Sequence, residues 1–168
     1  GLIGVLSIDS SLNQVDFRAS EKTFDILTDL IKLTDNQIII QTNLASHYCF
    51  KALTNNTPDL FYNNELKQRR DLKLPPFSHL TTVKIRGKNE EKVKSISNLL
   101  YTNLTAANHK GIDILSLMPA YPPKLRENYY WQIVLRTKSP VKASKFLKSN
   151  LKKFAHSGII ITIDVDPI

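Results

Sequence analysis

Two consecutive prolines, Pro75 and Pro76, set the firmest limit on what this chain can fold into. They follow an acid and basic helical stretch, "FYNNELKQRRDLKL", and precede an aromatic ring at Phe77. Proline offers no backbone N–H and drives the residue before it out of the α region, so no helix runs through the pair. The chain is divided at Leu74, and the hydrophobic patterns on the two sides differ in kind.

Before the prolines, "LIGVLSID" (Leu2 to Asp9) is a nearly all-apolar run, as expected of a strand buried on both faces of a largely parallel sheet. Ser20 is placed to cap a helix in which Phe24, Leu27, Leu30 and Ile31 share one stripe, and "QIIIQT" reads as a second buried strand. Strand, helix, strand is the βαβ pattern of an α/β sheet. Two strands are too few to close a core, so the segment reads as the end of a larger domain. "SHYCFKALTNN" reads as a short helix, and Thr57 and Pro58 open a longer one that the prolines end. Glu65 and Arg69 stand four apart on it; as an exposed pair they contribute only about 0.3–0.5 kcal/mol.

From residue 78 the pattern is that of an α+β unit. "HLTTVKIRG" alternates as a strand; Val93, Ile96, Leu100 and Leu104 recur at helical spacing; "IDILSL" is a strand, and "PAYPPKLREN" reads as a proline-broken loop. "YYWQIVLRTK" is the next strand, Ser139 and Pro140 open a second helix over 140–155, and "IIITIDVD" is the last strand. The order βαββαβ is the ferredoxin-like arrangement, with both helices on one face of an antiparallel sheet. Period two then assigns faces. Val83, Ile85, Tyr129, Trp131, Ile133, Leu135, Ile159, Ile161, Ile163 and Val165 point to the core, while Thr82, Lys84, Arg86, Tyr130, Gln132, Arg136, Thr162 and Asp164 point to the open side. On the second helix Lys142, Lys145, Lys148 and Lys152 fall opposite Phe146, Leu147, Leu151 and Phe154. That stripe can neutralise phosphates, or it is the ordinary solvated face of an amphipathic helix.

Charge follows the same division. Residues 1–64 hold four Lys and Arg against seven Asp and Glu, and residues 65–168 hold nineteen against eight, so a balance of −3 is followed by one of +11. A segment that basic attracts polyanions by steering and counterion release, which makes nucleic acid the first partner to consider. No apolar run approaches a membrane span, and the opening stretch is too short and lacks the positive flank of a signal peptide, so a soluble cytoplasmic protein is expected. The start at Gly1 with Met118 the only methionine reads as a processed or excised piece. Cys49, the single thiol, permits no internal disulfide and no cysteine zinc cluster, and is expected to be a small packed residue. The chain carries no Gly-rich phosphate loop, no nucleophile elbow and no His-Glu-x-x-His. His47, His79, His109 and His156 are scattered. Asp164 and Asp166 lie two apart on one strand face, too few oxygens for a hard cation.

Five blocks in order, "VDFRASEKTFDILTDL", "IIIQTNLASHY", "ELKQRRDLKLPPFSHL", "MPAYPPKLRENYYWQIVLRTKSP" and "IDVDPI", give the chain a resemblance to the last quarter of the bacterial primosomal protein N′ (PriA) family of replication-restart helicases. The resemblance implies an α/β remnant of a RecA-like helicase lobe over residues 1–55, a helix and proline linker over 56–77, and a C-terminal DNA-binding domain over 78–168. It implies forked or single-stranded DNA as partner, with single-stranded DNA-binding protein and primosome components as further partners, and a nucleoid-associated place in the cytoplasm. The family uses ATP, magnesium and zinc through parts with no counterpart in this chain, so no cofactor is expected here. Where the family has Q-x-x-G-R-x-G-R, whose arginines reach ATP phosphates, this chain reads "DLIKLTDN", with Leu33 and Asn36 in the arginine positions. The expectation is a chain without ATPase activity or catalytic residues. Asn128 and Tyr130 replace basic residues of the family, and Tyr130 could stack on a base for about 1–3 kcal/mol. The expected DNA contacts are Arg69, Arg70, Lys84, Arg86, Lys124, Arg126, Tyr130 and Arg136, with Lys142, Lys145, Lys148 and Lys152 as a secondary basic patch. The rival expectation is a protein-docking module that takes the acidic tail of single-stranded DNA-binding protein.

Overall fold

Residues 1–14, 16–34, 37–154 and 158–166 are described in this computed structural model, and each side of the proline pair collects around its own apolar cluster. The boundary between the two units falls at Leu72 and Lys73.

The first unit runs β1 (Ile3–Val5), α1 (Asp9–Leu12), α2 (Ala19–Lys32), β2 (Ile38–Ile40), α3 (Tyr48–Thr54) and α4 (Pro58–Asp71). β1 and β2 are parallel, with Gly4 opposite Ile39. Neither strand is buried on both faces, contrary to the all-apolar pattern. Val5 and Ile40 pack on the cluster of Phe24, Leu27, Cys49, Phe50 and Phe61, while Leu2, Leu6 and Ile39 are exposed, because the two-stranded sheet meets this core on one side. Helix α2 starts one residue before Ser20, so Arg18 rather than Ser20 holds the cap position, and Ile31 faces solvent. Cys49 is fully buried; burial, and then the nearby Glu65 carboxylate, push its thiol up to about 12, so it remains a protonated packing group.

Helix α4 is part of this core and not of a linker. Phe61 is completely buried and its ring stacks on Phe24, with centroids 4.1 Å apart and planes 3° from parallel. The segment 56–77 is therefore split. Its helix belongs to the first unit, and its prolines belong to a turn at the start of the second, closed by Ser78 Oγ donating to the Lys73 carbonyl at 2.6 Å and the Phe77 N–H donating to the Leu74 carbonyl at 2.9 Å.

The second unit runs β3 (His79–Gly87), α5 (Glu90–Ala106), β4 (Ile112–Leu125), β5 (Asn128–Thr137), α6 (Pro140–Leu151), a 3-10 turn (Lys152–Phe154) and β6 (Ile159–Val165). The sheet order is β4-β5-β3-β6, with every neighbouring pair antiparallel. Asn89 and Ser139 cap the helices by accepting from the N–H groups of Lys92 and Lys142. Val83, Ile85, Ile133 and Leu135 of the sheet meet Val93, Ile96, Leu100 and Leu104 of α5 and Phe146 and Leu147 of α6 in one cluster, which puts both helices on the same face. β3 ends on Gly87 because a Cβ there would lie 2.6 Å from the Gly158 carbonyl.

Two expectations for this unit change. Ile159 and Ile161 pack on the core, but Ile163 and Val165 are each 40% exposed, since β6 is an edge strand. The proline-rich stretch 119–125 is not a loop but the outer half of β4, a fourteen-residue strand. Proline is tolerated there because β4 is the other edge of the sheet and its outer side has no ladder to supply.

Candidate nucleic-acid interface

The face of the second unit's sheet opposite its helices is laid out by the register. Arg86 of β3 lies between Tyr130 of β5 and Ile160 of β6; in the next row Lys84 lies between Gln132 and Thr162; in the next, Thr82 between Val134 and Asp164. Arg86, Lys84, Tyr130 and Gln132 are all half-buried. Cations and a phenol in adjoining rows can meet phosphates and bases together, as single-strand binding surfaces do. Lys84 is partly neutralised by Asp164, at 3.3 Å, and Arg86 stands in the last row of β3 on this face.

Beyond this face the β4–β5 hairpin extends to a two-residue turn, Arg126 and Glu127, both with positive φ, the geometry that matches the twist of paired strands. Lys124 and Arg126 are exposed on it, and Asn128 ties the turn by donating to the Arg126 carbonyl at 3.0 Å. The Lys124 ammonium sits 4.8 Å from the Tyr129 ring centre, and contact with Tyr129 holds its pKa above the ordinary lysine range.

Of the remaining expected contacts, Arg136 lies further along the same face, opposite Leu80 and Asp113, and Arg69 and Arg70 belong to the first unit. Arg69 is taken up inside the first unit: Nε donates to Glu65 at 2.7 Å, Nη2 donates to Glu21 at 2.8 Å, and the guanidinium lies over the Phe17 ring at 5.3 Å. Glu65 in turn accepts from the Tyr48 hydroxyl at 2.5 Å. The Glu65–Arg69 pair is thus largely buried rather than exposed, and the Arg69 guanidinium is already engaged by two carboxylates. Its neighbour Arg70, in the last turn of α4, is exposed. Arg136 donates through Nε and Nη2 to Asp113 Oδ2, at 3.1 and 2.9 Å, so much of its charge is already met.

Arg136 lines a cleft of about 790 Å³ together with Lys73, Phe77, Lys110, Lys138 and Lys142. Four lysines from three separate stretches converge there, and spacing along the chain gives little sign of it. Lys142 thereby joins the cleft, while Lys145 and Lys148 stay exposed along α6 and Lys152 in the turn after it. Asp164 and Asp166 are both engaged, the first by Lys84 and the second by His79 at 2.6 Å and by the Leu80 N–H at 2.9 Å. They do not converge on a cation.

Residues 70–168 match the family model described as the primosomal protein N C-terminal domain. The chain belongs to that family. Proteins named replication restart protein PriA align along 99% of the chain: those of Synechocystis at 30% identity, Bacillus subtilis at 29% and Treponema pallidum at 31%. The chain spans 21%, 22% and 26% of those three proteins, respectively. The sheet, the hairpin and the lysine cleft all lie within the part matched to the primosomal family, whereas Arg69 and its carboxylates precede it. In the first unit, Leu33 is the exposed residue that follows α2, and Asn36 lies outside the described residues. Lys32, the one cation of residues 29–34, is paired with Asp29 at 3.0 Å. Among the described residues no helix is long and apolar enough to cross a membrane.

Proposed function

We propose that this chain is the DNA-holding C-terminal portion of a PriA-like replication restart protein, gripping forked or single-stranded DNA in the cytoplasm at the nucleoid without an ATPase of its own. The observation that carries the reading is the row in which Arg86 stands beside Tyr130, on the sheet face opposite both helices of its unit. In this reading the strand order β4-β5-β3-β6 is a ferredoxin-like DNA-binding domain, and the βαβ of the first unit is the end of a RecA-like lobe. Its contacts are Arg86, Tyr130, Lys124, Arg126 and Lys84, with Arg70 and the α6 lysines lending long-range attraction.

Affinity for DNA then follows counterion release. With about four phosphates neutralised on a single strand, the logarithmic salt slope is about −3, which weakens binding about 60-fold between 50 and 200 mM salt. An anisotropy titration across that range reads it, with Arg86→Ala lowering the slope by about 0.7. Absence of binding at the lowest salt, or a flat slope, would overturn the reading.

The lysine cleft favours a second reading, capture of an acidic peptide such as the tail of single-stranded DNA-binding protein. Phe77 supplies an apolar wall and Lys73, Lys110, Lys138 and Lys142 supply charge for carboxylates. A labelled peptide of that kind should bind with a Kd that Lys142→Glu raises at least 10-fold and that Tyr130→Ala leaves unchanged. Equal sensitivity to both substitutions would sink this second role.

A further inference from the structure

We propose that the bowed arm of the β4–β5 hairpin is a base-stacking platform for single-stranded DNA, with Tyr121 as its stacking residue. The proposal rests on the DNA-holding reading and names where a strand is gripped.

The register carries it. Pro119 faces Trp131 and Lys124 faces Tyr129, so the four residues from Ala120 to Pro123 stand against Tyr130 alone. A strand with that surplus has to bow away from its partner. Tyr121 lies in the bow and is 98% exposed. The other aromatic rings of this sheet, Tyr129, Tyr130 and Trp131, are half-buried. A ring left in water gains nothing for the fold, and its two apolar faces are open to a flat partner.

What the partner is follows from position and charge. The bow stands in the same row of the sheet as Tyr130 and Arg86, with neighbouring strands about 4.8 Å apart. The row thus holds a fully exposed ring in the bow, a half-buried ring on β5 and a guanidinium on β3. Lys124 and Arg126 follow Tyr121 at three and five residues, against Glu127 in the turn and Glu90, whose charge acts on Lys124. An exposed ring with cations close behind it suits a chain that carries both bases and phosphates. Bases in a duplex are stacked on one another and hide their faces, so the platform selects single strands.

The test uses the whole 168-residue chain, a labelled oligothymidylate of about 16 nucleotides and a blunt duplex of the same length. Wild type, Tyr121→Ala and Tyr121→Phe are compared by anisotropy at low salt. Tyr121→Ala should weaken oligothymidylate binding about 5- to 100-fold, Tyr121→Phe by less than about two-fold, and neither should change duplex binding. Unchanged oligothymidylate binding by Tyr121→Ala, or an equal loss on duplex, would overturn the platform while leaving the DNA-holding reading intact. A wild-type chain that binds neither probe removes both. The same solutions checked by circular dichroism should give identical spectra, because the substituted ring is almost entirely outside the packed structure.

Discussion

Replacing Phe61 with alanine is expected to destabilise the first unit by about 3–5 kcal/mol, the range for a fully buried aromatic ring cut back to a methyl group. The ring has no solvent contact, stacks face to face on Phe24 at 4.1 Å, and lies 5.5 Å from the Tyr48 ring, so three elements lose a shared surface at once. A unit of this size has a total stability of about 4–11 kcal/mol, so the loss is a large share of the whole. Trp131, the single tryptophan, lies in the second unit and reports on that unit alone. In a urea titration the far-ultraviolet signal of Phe61→Ala should acquire an early transition that tryptophan fluorescence does not follow. Coincident transitions by both probes would show that the two units unfold together.

Arg69→Ala carries the second large effect, about 3 kcal/mol at neutral pH. The loss comes less from the missing attraction than from what remains. Glu65 is 7% exposed, and without the guanidinium its carboxylate is left with the Tyr48 hydroxyl as its partner at 2.5 Å. An unmet buried charge is among the few causes of a large single-residue loss. The double variant Arg69→Ala with Glu65→Gln should recover at least half of it, which a urea titration of all four members of the cycle measures. Additive losses would place the effect in packing against Phe17 instead. The salt slope for DNA should be the same in Arg69→Ala as in wild type, since this arginine is turned into its own unit.

The order of elements was legible because each carries a strong period. The alternation of "HLTTVKIRG" and "YYWQIVLRTK" placed Val83, Ile85, Ile133 and Leu135 inward and Lys84, Arg86 and Tyr130 outward, as the structure has them. The α6 stripe was equally plain, with Phe146 and Leu147 buried and the lysines exposed. Long-range pairing is what a local pattern cannot carry. Arg69 and Glu65 look like a surface pair at i and i+4, and only the approach of Glu21, forty-eight residues away, turns them into a buried cluster. Tyr121 was hidden for a different reason. Three prolines within five residues argue for a loop, and the argument fails only for a strand that has a neighbour on one side, a property set by sheet order and not by the residues themselves.

The outer half of β4 also limits what can pair along its own edge of the sheet. An edge strand displays unpaired donors and acceptors on which a second molecule can build. Here Pro119, Pro122 and Pro123 withhold three amide hydrogens, and the bow between Pro119 and Lys124 spoils the straight line that an incoming backbone would need. The arm that exposes an aromatic ring to solvent is thus poorly suited to templating another strand along its own edge.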